Sequence, residues 1–503
     1  MTQNQSGMID FLQALLGDRN AARIDTHIST VLMAGNSVFK LKRAVKLPYA
    51  DFSTPALRLA ACEDEFRLNA RITAPLYVGV RRLTRSAEGA LIMDGDGELV
   101  DAVVEMRRFH QRDLFSRMAD ESRLTPDLIK LAAARIARFH QSIPPETDCD
   151  GATSMAYAMD INRKQLFAAR LFPAARVRTV LAKFDAAFSQ NASVLSERSR
   201  AGFLRHCHGD LHLANICLYE GAPTPFDCLE FSPRLAKTDV LYDLAFLLMD
   251  LWHRALPHLA NAAFNRYLDE TRDINHLGLM GFLMAVRAAV RAHVLAAQAG
   301  QSAMPDPLKE DAALRYFALA DELLGESPKR LVAIGGLSGS GKSSTAAKLA
   351  SGIGAPPGAR IVSTDRLRKA HFGVAAMTRL PEEAYRPEVS RLVYEKQREI
   401  AGCVLRGGHS AIADGVFLKQ EERAAIAKTA SDHRATFRAI WLTAPQDTLV
   451  RRVEQRVGDP SDATADVVAL QERHTPSKMD WPSVKTNRSQ PDIIRAAKEI
   501  LES

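Results

Sequence analysis

The feature that most constrains the fold of this 503-residue chain is the octapeptide GLSGSGKS (336–343), which fits the pattern G-x-x-x-x-G-K-[S/T]. A short apolar run (331–335) lies directly before it, and a helical stretch, STAAKLASGI, follows it. A strand, a glycine-rich loop and a helix in this order direct backbone N–H groups and the positive end of a helix at one anion. The octapeptide therefore predicts a phosphate-binding loop.

Each residue type in the loop has a separate task. Glycines let the backbone curl toward phosphate oxygens, Lys342 supplies a mobile positive charge, and the Ser343 hydroxyl can ligate Mg²⁺. The predicted nucleotide-binding residues are Gly336, Ser338, Gly339, Ser340, Gly341, Lys342, Ser343 and Ser344. An ordinary Gly/Ser-rich turn is the alternative, and the strand before the loop and the helix after it argue against that alternative.

The same part of the chain alternates apolar runs with helical stretches. The runs LVAIG (331–335), RIVST (360–364), AIADG (411–415) and FRAIWLT (437–443) are typical of strands. Strands that are buried on both faces and separated by helices predict a parallel α/β sheet. The site of such a sheet lies beyond the carboxyl ends of its strands.

Charged residues fall at this edge of the predicted sheet. Asp365 follows the second strand and Asp414 ends the third. Arg452 and Arg456 lie four residues apart, and so on one face, in the helix after the fourth strand. An aspartate beside phosphates can accept a hydroxyl proton or hold a metal, and arginines can neutralise a transferred group. The alternatives are a helix N-cap for Asp365, a solvated helix face for the arginines, and an indirect metal partner or a turn residue for Asp414.

With these residues in place, residues 330–503 resemble the P-loop kinases of small molecules and of polynucleotide 5′ ends, often labelled AAA-family ATPases. The element STDRLR (363–368) is similar to the S-x-D-x-x-R element of polynucleotide-kinase-like enzymes. The resemblance implies that Asp365 is the general base and that Arg368 contacts phosphate. It also implies that the two arginines four residues apart form the lid pattern R-x-x-x-R. The acceptor region, at about 369–400, follows no pattern that would name the substrate.

A second set of charged residues lies upstream with a regular spacing. The run HGDLHLAN (208–215) matches the kinase catalytic loop H-R-D-x-x-x-x-N, with Gly in place of Arg. Asp210 would orient the acceptor proton, and Asn215 and Asp227 would hold Mg²⁺. A helix that opens with YDLA (242–245) is expected to brace this loop through its aspartate. The run HCHGDLH also contains metal-ligand types, but no second ligand group with suitable spacing accompanies it, so we do not predict a zinc-type site.

This combination resembles the aminoglycoside phosphotransferase-like branch of the protein-kinase fold, which includes choline and fructosamine kinases, over roughly residues 25–320. The resemblance implies a strand lysine that pairs with the nucleotide phosphates, and the run VFKLK is placed like that strand. Lys40 and Lys42 share one face of the strand, so alternation does not choose between them; we favour Lys40. The partner carboxylate is expected in the next helix, with Glu65 favoured and Glu63 as the reserve.

Two further features of this region concern the nucleotide. Glu105-Met106 is similar in position to the segment that contacts adenine, so Met106 is a predicted nucleotide contact. The glycine-rich loop of protein kinases is missing, because the turn between the first strands is only Ala34-Gly35-Asn36. This departure leaves room for a first domain that binds nucleotide weakly or that prefers another nucleotide.

The chain is predicted to form two domains: an α+β bilobal protein-kinase-like fold followed by an α/β parallel-sheet P-loop NTPase fold. Their ranges are 1–325 for the first domain, with a small lobe at about 25–110 and a helical lobe at about 111–322, then a linker at 326–330 and the P-loop domain at 331–503. The helical segment before the linker stops at a Gly with a Pro soon after, as helices commonly do. At roughly 150 residues per domain, the length fits two to four domains.

Composition excludes several classes of protein. Apolar residues at 47% and charged residues at 25% exclude disordered and collagenous chains. The net charge of +7 suits an anionic ligand but is too small to indicate nucleic acid by itself. Six scattered cysteines without a C-x-x-C pair, a start unlike a signal peptide and the lack of a long apolar stretch predict a cytoplasmic protein without a membrane partner.

Together these patterns predict a two-headed ATP-dependent phosphotransferase. Each half is expected to use Mg²⁺ and ATP and to transfer the γ-phosphoryl group to a hydroxyl of a small molecule. One alternative is a sensor role for the first half, which would then regulate the second. The other is phosphorylation of polynucleotide 5′-hydroxyl ends by the second half, although the sequence has no Lys/Arg stripe interleaved with aromatic residues.

Overall fold

The computed structural model describes residues 4–17, 21–26, 28–47, 50–73, 75–301, 306–456, 461–476 and 479–502. The chain divides into two units. The first unit comprises Met1–Leu181, Phe188–Asp250 and His293–Pro305. The second unit comprises Ala182–Ala187, Leu251–Ala292 and Asp306–Ser503.

The first unit begins with an antiparallel sheet. The strands here are β1 (Ala22–Asp25), β2 (Ser29–Ala34), β3 (Ser37–Lys42), β4 (Lys46–Leu47), β5 (Ala50–Asp51), β6 (Tyr77–Arg85), β7 (Leu91–Met93) and β8 (Glu98–Arg107). Among the described residues, six of them neighbour one another in the order β1-β2-β3-β8-β6-β7, and β4 pairs with β5. Three runs with strand-like patterns in the sequence, HISTVLMA, SVFKLKRA and AVVEMRRF, fall on β2, β3 and β8.

The side chains of β3 alternate between the two faces of the sheet, and a helix packs on each face. Val38 packs with Cys62 of helix α2 (Pro55–Thr73), whereas Phe39 packs with Leu12 of helix α1 (Ser6–Leu15). Because side chains of a strand alternate between faces, Lys40 points to the same side as Val38, toward α2. The sheet therefore delivers its charged side chains to the helix that carries the predicted partner carboxylate.

The rest of the first unit is mainly helical. Its helices are α3 (Phe115–Asp120), α4 (Pro126–Ser142), α5 (Gly151–Ala168), α6 (Ala174–Arg200), α7 (Pro233–Ala236) and α8 (Val240–His253), of which α6 and α8 also contribute residues to the second unit. Four short strands lie among them: β9 (Leu204–His206), β10 (Ile216–Tyr219), β11 (Ala222–Pro225) and β12 (Lys237–Asp239). Strands β10 and β11 form an antiparallel hairpin, and β12 pairs with β9.

Helix α4 shows why these segments are helical. The Thr125 side chain accepts a hydrogen bond from the backbone N–H of Leu128, and Pro126 occupies the first helical position, where its missing N–H costs nothing. Ile129 and Ile136 lie on one face and are fully buried. A capped start and an apolar stripe at helical spacing stabilise the helix by packing rather than by propensity alone.

The second unit contains a parallel sheet of five strands among its described residues. They are β13 (Arg330–Gly336), β14 (Arg360–Ser363), β15 (Ala411–Asp414), β16 (Thr436–Thr443) and β17 (Ser483–Lys485), in the order β14-β15-β13-β16-β17. The helices between them are α12 (Lys342–Leu349), α13 (Thr364–His371), α14 (Pro387–Arg406), α15 (Gln420–Asp432), α16 (Gln446–Glu454), α17 (Ala465–Arg473) and α18 (Gln490–Glu502). Val332, Ile412 and Ile440 of adjacent strands form the buried core. The predicted fold class is confirmed, and the four predicted strands are β13 to β16.

Three helices that precede the predicted linker contribute to the second unit. They are α9 (Pro257–Thr271), α10 (Leu279–Gln301) and α11 (Pro307–Leu323), and α10 passes into the first unit at His293. The linker predicted at 326–330 rests on turn residues in the sequence. The two compact units are instead defined by which residues pack together, and the second unit includes residues on both sides of that linker. The expectation that no apolar stretch is long enough to cross a membrane is wrong for one of the described helices, because α10 has such a stretch (Leu279–Gly300). Of its apolar window, 72% is buried, as in a core helix.

Candidate active sites

The loop that carries Asp210 follows β9 in the first unit and depends on a glycine. Gly209 has φ +82°, and a Cβ atom there would lie 2.8 Å from the Leu229 side chain. Asp243 of α8 fixes the loop, because its carboxylate accepts the backbone N–H of Gly209 at 2.8 Å and that of His208 at 3.2 Å. The brace expected from the YDLA helix is therefore present as a pair of charge-assisted hydrogen bonds.

Two further side chains support this loop, and the sequence patterns did not single them out. Asp250 lies two turns after Asp243 on α8 and accepts the backbone N–H of Leu213 at 3.0 Å. His140 of α4 is buried, with its Nε2 3.0 Å from Asp243. The spacing of seven between the two aspartates on an otherwise apolar helix was the available signal, since it places both on one face.

Asp210 is half-exposed and held by its neighbours. Asn215 Nδ2 donates to Asp210 Oδ2 at 2.9 Å and to its backbone oxygen at 3.0 Å. His212 Nε2 lies 3.4 Å from the same carboxylate, while His212 Nδ1 accepts the backbone N–H of Ala214. The Asp210 side chain is 38% exposed, so its carboxylate is oriented from within and still accessible to a hydroxyl group.

The segment that carries Asp227 is hydrogen-bonded to the same loop. The backbone N–H of Phe226 donates to Asn215 at 2.9 Å, and the Phe226 oxygen lies 2.9 Å from His208 Nε2. Burial lowers the pKa of His208, which favours the neutral form of its ring. Asp227 itself has φ +64°, a left-handed conformation that non-glycine residues seldom adopt and that occurs at functional sites.

Lys40 joins Asp227 to the predicted helix carboxylate. Its Nζ lies 2.8 Å from Glu65 Oε1 and 2.5 Å from Asp227 Oδ1. Burial alone would lower the pKa of Lys40, but Asp227 and then Glu65 raise it well above the usual lysine value. Lys40 on β3 is thus a charged ammonium group that contacts both α2 and the segment after β11. The reserve carboxylate, Glu63, is exposed.

Lys42 forms a second buried ion pair beside the first. Its Nζ lies 2.5 Å from Glu65 Oε2 and also contacts Glu230, and both Lys42 and Glu65 are fully buried. Burial would raise the pKa of Glu65, but the two lysines lower it to about 2. The two lysines that alternation could not separate therefore share Glu65 and differ in their second partner, which is Asp227 for Lys40 and Glu230 for Lys42.

The predicted adenine segment lies at the end of β8. Met106 is buried in the core cluster that includes Val38 and Tyr77. The turn between β2 and β3 is as short as the sequence indicates, and the Asn36 oxygen accepts the backbone N–H of Arg108 at 2.8 Å. A two-residue turn leaves no glycine-rich loop at this end of β3.

The phosphate loop of the second unit lies between β13 and α12 and requires glycine at two close approaches. Gly339 has φ +83°, and a Cβ atom there would lie 2.5 Å from the Leu449 oxygen. Gly336 has φ +141°, and its Cβ atom would lie 2.6 Å from the Leu442 oxygen. These two glycines let the loop lie directly against β16 and α16.

A cavity of about 190 Å³ opens over this loop. Ten residues line it, and all but the last are predicted site residues: Ser338, Gly339, Gly341, Lys342, Ser343, Ser344, Asp365, Arg452, Arg456 and Ser461. The structure therefore brings Lys342 and Asp365 into one cleft. Gly336 and Ser340, which were also predicted, are not among the lining residues; Ser340 is fully buried.

Asp414 lies at the carboxyl end of β15, below the loop. Its Oδ2 accepts the Ser343 hydroxyl at 2.8 Å, and its side chain is buried. Gln397 of α14 donates to the Asp414 backbone oxygen at 3.0 Å and to that of Val362 at 2.7 Å, which ties the ends of β14 and β15 together. A serine hydroxyl and a carboxylate in contact are oxygen donors of the kind that Mg²⁺ prefers.

Two of the predicted arginines have structural contacts. Arg368 does not line the cleft; it is buried, donates to the Ala384 oxygen at 2.6 Å and lies over the Tyr385 ring. Its guanidinium holds the acceptor segment, and the phosphate contact that the resemblance implied for Arg368 stays a prediction. Arg452 lines the cleft and donates to the Thr486 oxygen at 2.7 Å.

Residues without a motif also border the second cleft. Gln471 of α17 accepts the backbone N–H of Ser338 at 2.8 Å, so it contacts the loop itself. Asp462 accepts from the Tyr385 hydroxyl at 2.6 Å and contacts Lys369. No sequence pattern marked these residues, because their partners lie about 80 to 130 positions away in the chain.

Two family models match the chain. Residues 91–277 match the model described as the phosphotransferase enzyme family, and residues 331–476 match the model described as an AAA domain. The chain joins an aminoglycoside phosphotransferase-like domain to a P-loop kinase-like domain. These two domains make it an ATP-dependent kinase, and they confirm both resemblances stated from the sequence.

Two mycobacterial relatives span most of this two-domain kinase. Uncharacterized proteins of Mycobacterium bovis (strain ATCC BAA-935 / AF2122/97) and Mycobacterium tuberculosis (strain ATCC 25618 / H37Rv) are each 29% identical over 454 residues, covering 88% of this chain and 88% of theirs. An amicoumacin kinase solved with AMP-PNP is 13% identical with a TM-score of 0.40, covering 63% of this chain and 94% of its own. A gluconokinase from Sinorhizobium meliloti 1021 is 19% identical with a TM-score of 0.25, covering 35% and 94%.

Proposed function

We propose that this kinase is bifunctional and that each domain transfers the γ-phosphoryl group of ATP to a hydroxyl of a small molecule. The observation that carries the proposal is that each unit connects one predicted phosphate-binding lysine with one predicted catalytic aspartate, through a shared cleft or a chain of contacts. Lys342 and Asp365 line one cleft, while Lys40 is linked to Asp210 through Asp227, Phe226 and the 208–215 loop. We expect the enzyme to act in the cytoplasm.

In the phosphotransferase domain, Lys40 would hold the phosphates of ATP and Asp210 would receive the acceptor. As the acceptor oxygen bonds to the γ-phosphorus, its proton passes to Asp210, the bond from phosphorus to the bridging oxygen breaks, and ADP leaves. The hydrogen bonds from Asn215 and the loop brace from Asp243 keep the Asp210 carboxylate in place. Positioning of this kind supplies much of the rate of phosphoryl transfer.

In the P-loop domain, backbone N–H groups and Lys342 would cradle the phosphates, and Asp365 would take the acceptor proton. Arg456, at the edge of the cleft, and Arg452 would offset charge on the transferred group. The residues present also fit Mg²⁺, which Ser343 and Asp414 would hold here and Asn215 and Asp227 in the first domain. When bound, Mg²⁺ would screen the negative charge of the phosphates.

The test uses the full chain with γ-labelled ATP and a metabolite extract. Asp210→Asn and Asp365→Asn should each remove one set of labelled products and leave the other, and the double variant should remove both. Asp127→Asn is the matched control, because that side chain is 89% exposed and pairs only at the surface with Lys130. Chromatography and mass spectrometry then identify the phosphorylated compounds.

Two outcomes would contradict parts of this proposal. A double variant that still forms labelled products at the parental rate would exclude both aspartates as the base. Unchanged products in Asp210→Asn alone would favour the sensor role for the first domain. The missing glycine-rich loop is the observation that makes this alternative worth testing.

A further inference from the structure

Helix α9, which precedes the predicted linker, places polar residues four apart against the edge of the P-loop sheet. Asn261 Nδ2 donates to the backbone oxygens of Pro357 and Ala359, each at 3.1 Å. Asn265 Oδ1 accepts the backbone N–H of Ile361 at 2.8 Å. All of these residues belong to the second unit, and both asparagines are buried.

These contacts occupy the open side of β14, the edge strand of the sheet. An edge strand presents backbone N–H and C=O groups without a neighbouring strand, and a covered edge is costly unless those groups are paired. Asparagine can both donate and accept, and Asn265 does both, because its Nδ2 also donates to the Ala359 oxygen at 3.1 Å. The two asparagines thus form hydrogen bonds with backbone groups that a further strand would otherwise pair.

Asp269, four residues after Asn265, extends this contact to the catalytic side. Its Oδ1 lies 2.6 Å from Arg360, the first residue of β14, and its Oδ2 lies 2.9 Å from Arg366 in the first turn of α13. Asp365, which lines the ATP cleft, directly precedes Arg366. One carboxylate therefore fixes the start of the strand and the start of the helix that carries the proposed base.

The other charged side chains of α13 are anchored on different sides. Arg368 donates to the acceptor segment at Ala384, and Lys369 donates to the Thr378 oxygen at 2.5 Å. Successive helical residues point about 100° apart, so anchors at Arg366 and Arg368 fix the rotation of the helix. Asp365 is the member of this set that faces the cleft. Releasing the Arg366 anchor would free the first turn, where Asp365 lies.

We infer that Asp269 is a positioning residue for Asp365, so that a helix before the linker takes part in catalysis by the P-loop domain. This inference rests on the proposed function, because it assumes that Asp365 accepts the acceptor proton. Asp269 is not among the described residues that line the cleft, so its removal should change the rate and not the binding of ATP. A displacement of about 1 Å can lower a rate by up to about 100-fold.

The test measures ATP turnover by the full chain in the Asp210→Asn background, which silences the first domain, with water as the hydroxyl acceptor. Asp269→Asn and Arg366→Gln should each lower kcat about tenfold or more and leave the KM for ATP within about twofold. The double variant should be no slower than the slower single variant, because both remove one contact. Asp269→Glu should recover part of the rate. Asp311→Asn, which breaks an exposed pair with Arg315, is the control and should keep the parental kcat.

Each result decides between the inference and its alternatives. Arg366→Gln guards against misfolding, because it leaves the ion pair of Asp269 with Arg360 intact. Parental kcat in both Asp269→Asn and Arg366→Gln, with a loss of turnover in Asp365→Asn, would overturn the positioning role and keep the proposed function. Parental kcat in Asp365→Asn would overturn both. A rise in the KM for ATP without a fall in kcat would likewise contradict a positioning role.

Discussion

Five charged side chains meet in the first domain where β3, α2 and the segment after β11 come together. They are Lys40, Lys42, Glu65, Asp227 and Glu230. Three carboxyl groups and two lysine ammonium groups thus lie together, and burial raises the pKa of the Glu230 carboxyl. Asp227 is the most exposed of these groups, with 40% of its side chain accessible, and Lys42 and Glu65 are fully buried. The cluster therefore combines an accessible face for a ligand with a buried anchor.

Lys42→Met should destabilise the first domain strongly. It leaves the buried Glu65 and Glu230 carboxylates with one cation fewer, and removal of one partner of a buried ion pair costs about 3–5 kcal/mol. The free energy of unfolding, measured in urea, should fall by that amount, and Lys42→Met with Glu230→Gln should recover part of it. Lys46→Met, at a lysine 75% exposed, is the control and should change it by less than about 0.5 kcal/mol. Equal effects of Lys42→Met and Lys46→Met would contradict a buried anchor.

Glu65 should make stability depend on pH in acid. Its folded pKa of about 2 lies below the value of about 4.3 expected in an unfolded chain. A carboxyl whose pKa is lowered on folding contributes stability that is complete above about pH 4.3 and is lost as the pH falls toward 2. Glu65→Gln should therefore flatten the dependence of unfolding free energy on pH in this window. The exposed Glu121→Gln should leave the parental slope, and a parental slope in Glu65→Gln would contradict the lowered pKa.

At the residue scale, the sequence predicted which residue types meet but not every pairing. The resemblance pointed to a lysine on β3, and alternation did not choose between Lys40 and Lys42, whose partners are distant in the sequence. Asp227 lies 187 residues from Lys40, and Glu230 lies 188 residues from Lys42. Arg368 matches a motif, and the structure adds a buried contact to the Ala384 oxygen that the motif did not indicate.

At the element scale, the phosphate loop is the part most sensitive to added volume. Gly339→Ala should weaken ATP binding by the P-loop domain, because the new Cβ atom would lie 2.5 Å from the Leu449 oxygen of α16, the helix that also carries Arg452. We expect at least a tenfold rise in the Kd for ATP, measured by titration in the Lys40→Met background. Gly352→Ala, where no atom lies within 4 Å of the new Cβ, is the control. Unchanged affinity in Gly339→Ala would contradict the close approach of loop and helix.

Elements were predictable where their pattern was strong. The four predicted strands of the P-loop domain are apolar runs, and all four are present as β13 to β16; β13 and β15 are buried on both faces. Strand β17 has one buried residue in three, and β6 is interrupted by the pair Arg81-Arg82, so neither gave an apolar run. The polar face of α9 would be taken for a solvated surface from sequence alone, since Asn261 and Asn265 at helical spacing carry no apolar signal.

At the scale of the whole molecule, the chain pattern and the packing divide the protein differently. Helix α11 ends before Gly325 and Pro328, as the sequence indicates. The second unit nevertheless includes α9, α11 and residues 279–292 of α10, because α9 covers β14. Linkers are read from local turn residues, whereas a covered sheet edge depends on residues about 100 positions apart. The predicted boundary at 326–330 remains a prediction for where the two functions separate.

The number of ATP molecules bound per chain tests most directly whether there are two nucleotide sites. Equilibrium dialysis with a non-hydrolysable ATP analogue and Mg²⁺ should give two equivalents for the parent chain. Lys342→Ala and Lys40→Met should each give one, and the double variant should give none, with Lys348→Ala as an exposed lysine control that keeps two. One equivalent in the parent, or loss of all binding in either single variant, would contradict two independent sites.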